Sequence, residues 1–375
     1  MADALAITDT AIHLSAADKR AGHIFLDVMR GLMAIQVFSA HTFQLFLFRF
    51  LGESNPIAVV CNHFGRHGVL IFFLLSGRLI TGSVINNIRK NGKFQIRDYV
   101  ASRVARIYPP LIGAIIICAV VWAIIHLLQL PGARPYGLPG DLYRTREYFD
   151  FHFSEVLTVL TMQGGFHAVD GPLWTLFIEV QIYTVVLGIA AFWQRNLLAR
   201  MACVALAIGA GLLLRQNGFL VLIWAGGAAT CFIPLNRRVA GIIAAAMTVI
   251  TVVMWMLIHE RSSQASACVL YAMCLFYCFP RLSWPGPVRA TADFSYSLYV
   301  MHWPLLMLAT SLSQDWIGHS ILRAILVAGI SYVTIPLIVI PVSRLLERPH
   351  DFRKWLLEHI PEMKKTGYAP PPATT

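Results

Sequence analysis

Long apolar stretches recur along this chain, and they constrain its fold more than any other feature. Many run for about 17 to 25 residues, the length that an α-helix needs to cross roughly 30 Å of hydrocarbon at 1.5 Å per residue. Of the 375 residues, 57% are hydrophobic and only 13% are charged, and the mean hydropathy is +0.64. Soluble globular proteins do not have that composition. The sequence therefore predicts an all-α, polytopic membrane protein.

Gly, Pro and charged residues divide the apolar stretches into about ten predicted transmembrane helices. These lie near residues 26–49, 68–88, 109–130, 172–193, 198–214, 218–234, 239–258, 265–280, 294–312 and 320–343. The polar N-terminal segment lacks the pattern of a cleavable signal peptide, so we expect it in the cytoplasm, and ten crossings place the C-terminus there too. About 21 of the 30 Lys and Arg residues then lie on the inner side, as the positive-inside rule requires. The net charge of +11 is thus explained by topology, and no nucleic-acid partner is expected.

The chain divides into three expected parts: a cytoplasmic N-terminal segment (1–22), a transmembrane domain (23–350) and a cytoplasmic tail (351–375) that is partly disordered. Between the second and third helices, a basic segment is expected to form a short amphipathic helix on the membrane surface that ends at Pro109 and Pro110. The outer segment of about residues 131–171 is longer than a connection requires, so it is expected to contain one short interfacial helix and to cover a site.

Two polar residues stand out in the first predicted helix, within "MRGLMAIQVFSAH". Arg30 and His41 are eleven positions apart, which makes about 1100° of rotation, so both side chains share one helix face. With Arg30 at the inner boundary, His41 lies about 16 Å further along, near mid-membrane. An ionisable group at that depth usually faces a protein interior or a water-filled cavity, which favours a functional residue. The alternative is a neutral histidine that is hydrogen-bonded between helices.

Glu179 is a second ionisable residue within an apolar run, "GPLWTLFIEVQIY". If Pro172 begins this helix at the outer boundary, Glu179 lies about 10 Å into the membrane, and Tyr183 lies one turn deeper on the same face. Glu179 can therefore reach a depth similar to that of His41, where its carboxylate could orient the imidazole or bind a sugar hydroxyl. The alternative is an ion pair with an arginine that holds two helices together.

Two further polar residues occupy predicted helices. His302, in "FSYSLYVMHWPLL", follows Tyr299 by three positions and shares a face with it, and Pro304 could bend the helix nearby. A structural role is as well supported for His302 as a functional one. Arg78 follows Ser76 and Gly77, which permit close helix approach, and it could simply extend towards the inner surface.

The inner surface carries a pair of arginines, Arg103 and Arg106, in "SRVARIYPP". They are three positions apart and would share one side of a helix, where two guanidinium groups suit bidentate phosphate binding. The phosphate could belong to a lipid headgroup or to a nucleotide-like cofactor, and positive-inside topology alone also produces such residues. Glu347, at the inner end of the last helix, is a candidate salt-bridge partner for them. The seven cysteines show no metal-binding spacing, so no metal is expected.

Six stretches together resemble the membrane-bound acyltransferase 3 family, in the family's order over roughly residues 24–350. They are "FLDVMRGLMAIQVFSAH" for the family's LDxxRG and histidine, "GVLIFFLLSG" for GVxxFFxxSG, "SRVARIYP" for RRxxRIxP, "LWTLFIEVQIY" for LWSLxxExxFY, "SYSLYVMHWP" for SYxxYLxHxP, and "ERP" for the closing Glu-x-Pro. Three positions depart from the pattern. Ser102 replaces the first of the paired arginines, Arg78 stands where a large apolar residue is usual and could supply the missing charge, and Phe177 replaces a small polar residue.

The resemblance implies transfer of an acyl group, commonly acetyl from acetyl-CoA, to a hydroxyl of a cell-surface or periplasmic glycan at the bacterial inner membrane. Its motifs imply an essential pair, Arg30 and His41. We expect Glu179 to complete the catalytic set and Arg103, Arg106, Arg78 and Glu347 to bind the acyl-CoA. A substrate channel is expected along His302, Tyr299, Trp174 and Tyr183. The partners would be acyl-CoA, a glycan or lipid-linked glycan, and membrane lipids.

The hypothesised reaction has to span the bilayer, since acyl-CoA is cytoplasmic and the glycan is finished outside. His41 would either remove the proton of the acceptor hydroxyl or carry the acyl group transiently. A transporter or flippase of lipid-linked glycans, with the same polar residues lining a passage, is the alternative from another class. A membrane-bound O-acyltransferase of the other type, which also uses an intramembrane histidine, is less consistent, because it lacks the Arg and His pair at the start of the chain.

Overall fold

The computed structural model of the protein describes residues 16–52, 54–134, 138, 149–165, 170–257, 260–279 and 284–359. Over these residues the secondary structure is helical, and no strand is present. The helices are α1 (Ala16–Phe46), α2 (Pro56–Asn91), α3 (Ile96–Leu127), α4 (Phe153–Leu160), α5 (Trp174–Ala190), α6 (Leu197–Leu214), α7 (Gly218–Ala229), α8 (Arg237–Met256), α9 (Glu260–Met273), α10 (Ser295–Ile317), α11 (Ile321–Leu346) and α12 (Pro349–His359). Short helices at Phe48–Leu51 and Gly286–Ala290, several 3-10 turns and a π-helical turn at Cys274–Cys278 complete the fold.

The all-α class and the multi-pass membrane character are confirmed. Each of the ten predicted transmembrane segments coincides with a helix of twelve or more residues. Within the part of the chain that the structure describes, seven stretches are long and apolar enough to cross a membrane: Ile24–Phe46, Pro56–Asn91, Ile96–Leu127, Gly171–Trp193, Leu197–Ala229, Arg237–Met256 and Ile321–His359. One of them joins α6 and α7, while α9 and α10 fall outside the seven. The number of ten crossings and the cytoplasmic termini stay predictions.

The prediction of a surface helix ending at Pro109 and Pro110 was wrong. Instead, α3 runs without interruption through both prolines and enters the apolar stretch that follows them. Each proline removes one backbone donor, and a helix buried among neighbours tolerates this loss better than an exposed one. Gly113, one turn later, packs where an added Cβ would meet Leu346 and Met301. Tight packing on α10 and α11 therefore maintains the helix where the local sequence predicts its end.

The tail after residue 350 is not a featureless extension, because its first part forms α12. Arg353 on α12 donates to the hydroxyl of Ser102 at 2.9 Å and lies 3.4 Å from the carboxylate of Asp98. These contacts hold α12 against the inner end of α3. The remaining tail, residues 360–375, lies outside the described residues, as do residues 1–15, so α1 already begins within the predicted N-terminal segment. The predicted interfacial helix of the outer segment corresponds to α4.

Reciprocal glycines bring α2 and α7 into contact. A Cβ added at Gly77 would clash with the backbone carbonyl of Trp224, and one added at Gly227 would clash with the carbonyl of Leu74. Small residues at such crossings allow helix backbones to approach closely in a membrane. The close approach at Gly77 in "GVLIFFLLSG" therefore fixes the position of its neighbour Ser76, which lies at the same crossing.

Substituting Gly77→Ala is expected to lower the melting temperature of the detergent-purified protein, because α2 and α7 must move apart to admit the methyl group. Overpacking of this kind costs about 1–3 kcal/mol or more. Gly82→Ala on the same helix is the matched control, since no atom lies within 4 Å of its Cβ position. Equal melting temperatures for the two variants would contradict the close α2–α7 packing.

Candidate active site

A cleft that opens to the surface lies between α1, α2, α3, α5 and α10, and the space in the cleft together with its open mouth is about 900 Å³. Most of the motif segments contribute to its wall, so residues far apart in sequence converge there. On α5 alone the lining extends from Thr175 to Tyr183, eight positions or about 12 Å along the helix axis. The polar lining residues are Arg30, Ser76, Arg103, Arg106, Thr175, Glu179, Tyr183, Ser295, Tyr296 and Tyr299.

The charge of the cleft is positive, because three arginines face one carboxylate. Arg30 and Arg106 act on each other electrostatically across the cleft, and Glu179 partly offsets them. The Nε atoms of Arg30 and Arg103 are buried and have no hydrogen-bond partner among the described residues. Buried donors of this kind are nearly always paired in native proteins. The positive charge of these side chains is of the kind that pairs with anionic groups.

Glu179 is held by hydroxyl groups. Its Oε1 accepts a hydrogen bond from Ser76 at 2.8 Å and another from Tyr183, one turn along α5. The indole of Trp224 in turn donates to the Ser76 hydroxyl at 3.3 Å. Sequence reasoning assigned Ser76 only a packing role and missed this hydrogen bond, for which only the position of Ser76 beside Gly77 gave a signal. The alternative that Glu179 pairs with an arginine within 4 Å is not supported among the described residues.

Arg103 extends across the cleft wall towards α2 and α5. Its guanidinium carbon lies 5.6 Å from the ring centre of Tyr99 and 5.7 Å from that of Tyr183, and its Nη2 donates to Ser83 at 3.3 Å. Contact with two aromatic rings favours a cation and limits its rotation. The predicted pairing of Arg103 with Arg106 on one wall is thus observed.

The Arg-Gly pair of the first motif has a structural explanation. Arg30 forms an ion pair with Asp27, one turn earlier on α1. A Cβ added at Gly31 would clash with the side chain and backbone of Thr291, in the 3-10 turn that precedes α10. The glycine therefore lets the start of α10 lie directly against α1. This contact places Ser295 and Tyr296 in the cleft beside Arg30.

His41 and His302 form a stacked pair next to the cleft. Their ring centres are 5.3 Å apart with an interplanar angle of 22°, and the Trp303 ring meets His41 edge-on at 5.0 Å. His302 is fully buried, and its Nδ1 lies 2.9 Å from the carbonyl oxygen of Leu298. Its Nε2 has no hydrogen-bond partner among the described residues. The predicted functional candidates on α1 and α10 are thus in direct contact.

Tyr299 connects this histidine pair with the cleft. It lines the cleft, and its ring centre lies 6.1 Å from that of His302. The Tyr299 hydroxyl donates to the carbonyl of Pro172 at 2.9 Å and is also bonded to Thr175. Neither histidine lines the cleft itself. Tyr299 therefore lies between the cleft, which it lines, and the ring of His302.

Several expectations differ from the structure in whole or in part, and one concerns His302, which was expected along the channel but does not line the cleft. Arg78 does not line the cleft; its guanidinium donates to the carbonyl of Thr230 and lies over the Phe276 ring, so it caps the C-terminal end of α7. Trp174 is 50% exposed and also lies outside the cleft wall.

Glu347, expected to pair with the arginines, interacts electrostatically with Arg106 and Arg30, and it accepts a hydrogen bond from the backbone N–H of Ser297 at 2.8 Å. It thereby stabilises the N-terminus of α10, where a carboxylate is favourable. Glu179 was expected to be able to orient His41, but its carboxylate accepts from Ser76 and Tyr183 in the cleft.

Comparisons with known proteins agree on one family for this chain. A family described as "Acyltransferase domain", Acyl_transf_3, matches residues 23–341. The chain is 27% identical over 136 residues to the peptidoglycan O-acetyltransferase OatA of Listeria monocytogenes, covering 34% of this chain and 21% of that protein. It is 28% identical over 184 residues to Nodulation protein 10 of Rhizobium leguminosarum, covering 48% of each.

A third relative is an uncharacterized protein of Haemophilus influenzae, 31% identical over 120 residues, which cover 31% of this chain and 45% of the relative. The matches thus span half or less of the length of each of these relatives. No solved structure matches the chain significantly.

Proposed function

Because the chain belongs to the membrane-bound acyltransferase 3 family, we propose that it is a transmembrane O-acyltransferase that moves an acyl group from cytoplasmic acyl-CoA to a hydroxyl of a cell-surface or periplasmic glycan. The acyl group we propose is acetyl, and the location is the bacterial inner membrane. Support for a glycan acceptor comes from the similarity to a protein named as a peptidoglycan O-acetyltransferase.

The observation that carries this proposal is the positive cleft that ends beside a histidine pair. Arg103 and Arg106 lie on α3, within the basic inner segment, and would bind the phosphates of the donor. Arg30, with its buried Nε donor, would bind a phosphate or polarise the thioester carbonyl. A cleft at least about 12 Å long along α5 suits an extended donor whose acyl end reaches Tyr299. In this proposal the arginines bind the donor and the histidine pair beside the cleft supplies the acid–base chemistry.

The chemistry assigned to the histidine pair is general-base catalysis. His41 would take the proton of the acceptor hydroxyl as its oxygen attacks the thioester carbonyl. A carbon–oxygen bond forms, the carbon–sulfur bond breaks, and the proton is finally passed to the leaving thiolate. His302, stacked on His41, would hold that ring in place. Glu179, fixed by Ser76 and Tyr183, would accept a hydrogen bond from a ligand hydroxyl in the cleft.

A transporter or flippase of lipid-linked glycans would use a polar passage for a different purpose. Mass spectrometry of surface glycans from deletion cells and complemented cells separates the two functions. We expect the deletion to leave the amount of exported glycan unchanged and to remove only its acyl groups, and complementation to restore them. Loss of the glycan itself from the cell surface would instead support transport.

A further inference from the structure

The hydrogen bonds around His41 define which of its ring nitrogens carries a proton. We propose that Gln44 is a positioning residue that holds His41 in the tautomer with hydrogen on Nδ1, so that Nε2 is the nitrogen that receives the proton of the acceptor hydroxyl. This inference rests on the proposed function for the role of His41. The tautomer is inferred from the orientation of the Gln44 amide.

The first step of the argument is the contact between Gln44 and the imidazole. The side-chain oxygen of Gln44 lies 2.7 Å from Nδ1 of His41. An amide oxygen can only accept a hydrogen bond, so the ring nitrogen has to donate. In a neutral imidazole the other nitrogen then carries the lone pair. Gln44 is only 5% exposed, so water competes poorly for this contact.

The second step concerns the orientation of the Gln44 amide. Its Nε2 donates to the side-chain oxygen of Asn62 on α2 at 2.8 Å. With its nitrogen turned to Asn62, Gln44 presents its oxygen to His41. The chain of hydrogen bonds therefore runs from α2 through Gln44 to the partly buried imidazole of His41, and it orients the ring as well as fixing its tautomer. Comparable second partners orient the histidine ligands of metal sites and the histidine of catalytic triads.

The partner imidazole shows the same arrangement. Nδ1 of His302 faces the carbonyl oxygen of Leu298, another group that only accepts, so its lone pair is also on Nε2. In both stacked rings Nδ1 thus faces an oxygen atom that accepts its hydrogen. The acceptor for His302 is a backbone carbonyl, whereas the acceptor for His41 is a side chain. Only the Gln44 contact can be altered by substitution.

Gln44→Leu tests the inference, because leucine keeps the bulk of the side chain and removes the acceptor. The assay measures acyl incorporation from radiolabelled acetyl-CoA in inverted membrane vesicles. We expect kcat to fall by about 10- to 100-fold. The KM for acetyl-CoA should stay unchanged, because Gln44 does not line the cleft. Gln44→Glu is expected to retain most activity. Its carboxylate accepts from Nδ1, and the Asn62 amide can turn to donate to it.

Gln36→Leu is the matched control. Gln36 also links α1 to α2, by donating to the carbonyl of Phe64 at 2.6 Å, but it has no contact with His41. We expect this variant to keep wild-type kcat. Equal losses for Gln36→Leu and Gln44→Leu, or equal losses for Gln44→Glu and Gln44→Leu, would show a structural role and overturn the inference.

The tautomer can be measured without an acceptor. In protein with isotope-labelled histidine nitrogens, the NMR signals absent from His41→Ala belong to His41. They are expected to show a protonated Nδ1 in the wild type and a mixture of tautomers in Gln44→Leu. A wild type with hydrogen on Nε2 would overturn the inference. If His41→Ala keeps full acyl transfer, the proposed function of His41 fails, whereas an inactive His41→Ala beside a fully active Gln44→Leu defeats the positioning inference alone.

Discussion

Replacing His41 with alanine is expected to remove acyl groups from the surface glycan while the protein still inserts into the membrane. General-base catalysis contributes about 10²- to 10⁴-fold to a rate, and His302, the histidine stacked on His41, is fully buried. Its Nδ1 is bonded to a carbonyl, which fixes the ring. The measurement is the acyl content of the glycan, by mass spectrometry, from cells that carry the variant in place of the wild type.

A loss of folding has to be separated from a loss of chemistry in this experiment. His41 packs against the rings of His302 and Trp303, so alanine leaves space there. His41→Gln fills more of that space without supplying a base, and it should be equally inactive. Membrane insertion and melting temperature of both variants serve as the control. Wild-type acylation by either variant would reject His41 as the base.

Helix existence could be predicted well from this sequence because lipid imposes a simple requirement. A chain crossing hydrocarbon has to satisfy its backbone internally, so long apolar stretches form helices. Helix boundaries were harder to predict where the local sequence preference and the tertiary packing disagree. Pro109 and Pro110 end a helix by local propensity, yet α3 continues because α10 and α11 pack against it. The end of α11 and the formation of α12 depend on contacts with α3, which no local pattern reveals.

The candidate site could be predicted in part, since helix periodicity places residues on a face but does not choose the facing helix. Arg30, Arg103, Arg106 and Glu179 were named as functional candidates, and all four line the cleft. The pairing of His41 with His302 needed the crossing of α1 and α10, which depends on Gly31.

Arg78 shows the limit of the same reasoning. A charge in an apolar helix suggests a ligand site, but this guanidinium satisfies a helix C-terminus instead. Gln44 was missed for the opposite reason, because an uncharged amide near a helix end gives no signal until its partner is known.

Arg30→Ala is expected to lower the rate of acyl transfer by about 100- to 1000-fold, the effect typical of losing one group that stabilises developing charge. Arg30 lines the cleft, where its guanidinium adds one of three positive charges. Its ion pair with Asp27 does not account for the expected loss. The Asp27 side chain is 47% exposed, so after the substitution water solvates it and stability changes little.

The charge and the shape of Arg30 can be distinguished by a second substitution. Arg30→Lys keeps a cation but loses the planar fork of donors, so it should recover only part of the activity. Arg238→Ala is the matched control, since Arg238 is an exposed cation at the start of α8, outside the cleft wall.

Binding of coenzyme A to the purified variants, measured by calorimetry, then shows which step the substitution affects. Weaker binding in Arg30→Ala assigns Arg30 to the phosphates, whereas unchanged binding with a reduced rate assigns it to the thioester carbonyl. Wild-type binding together with a wild-type rate would contradict any role for Arg30 in the donor site.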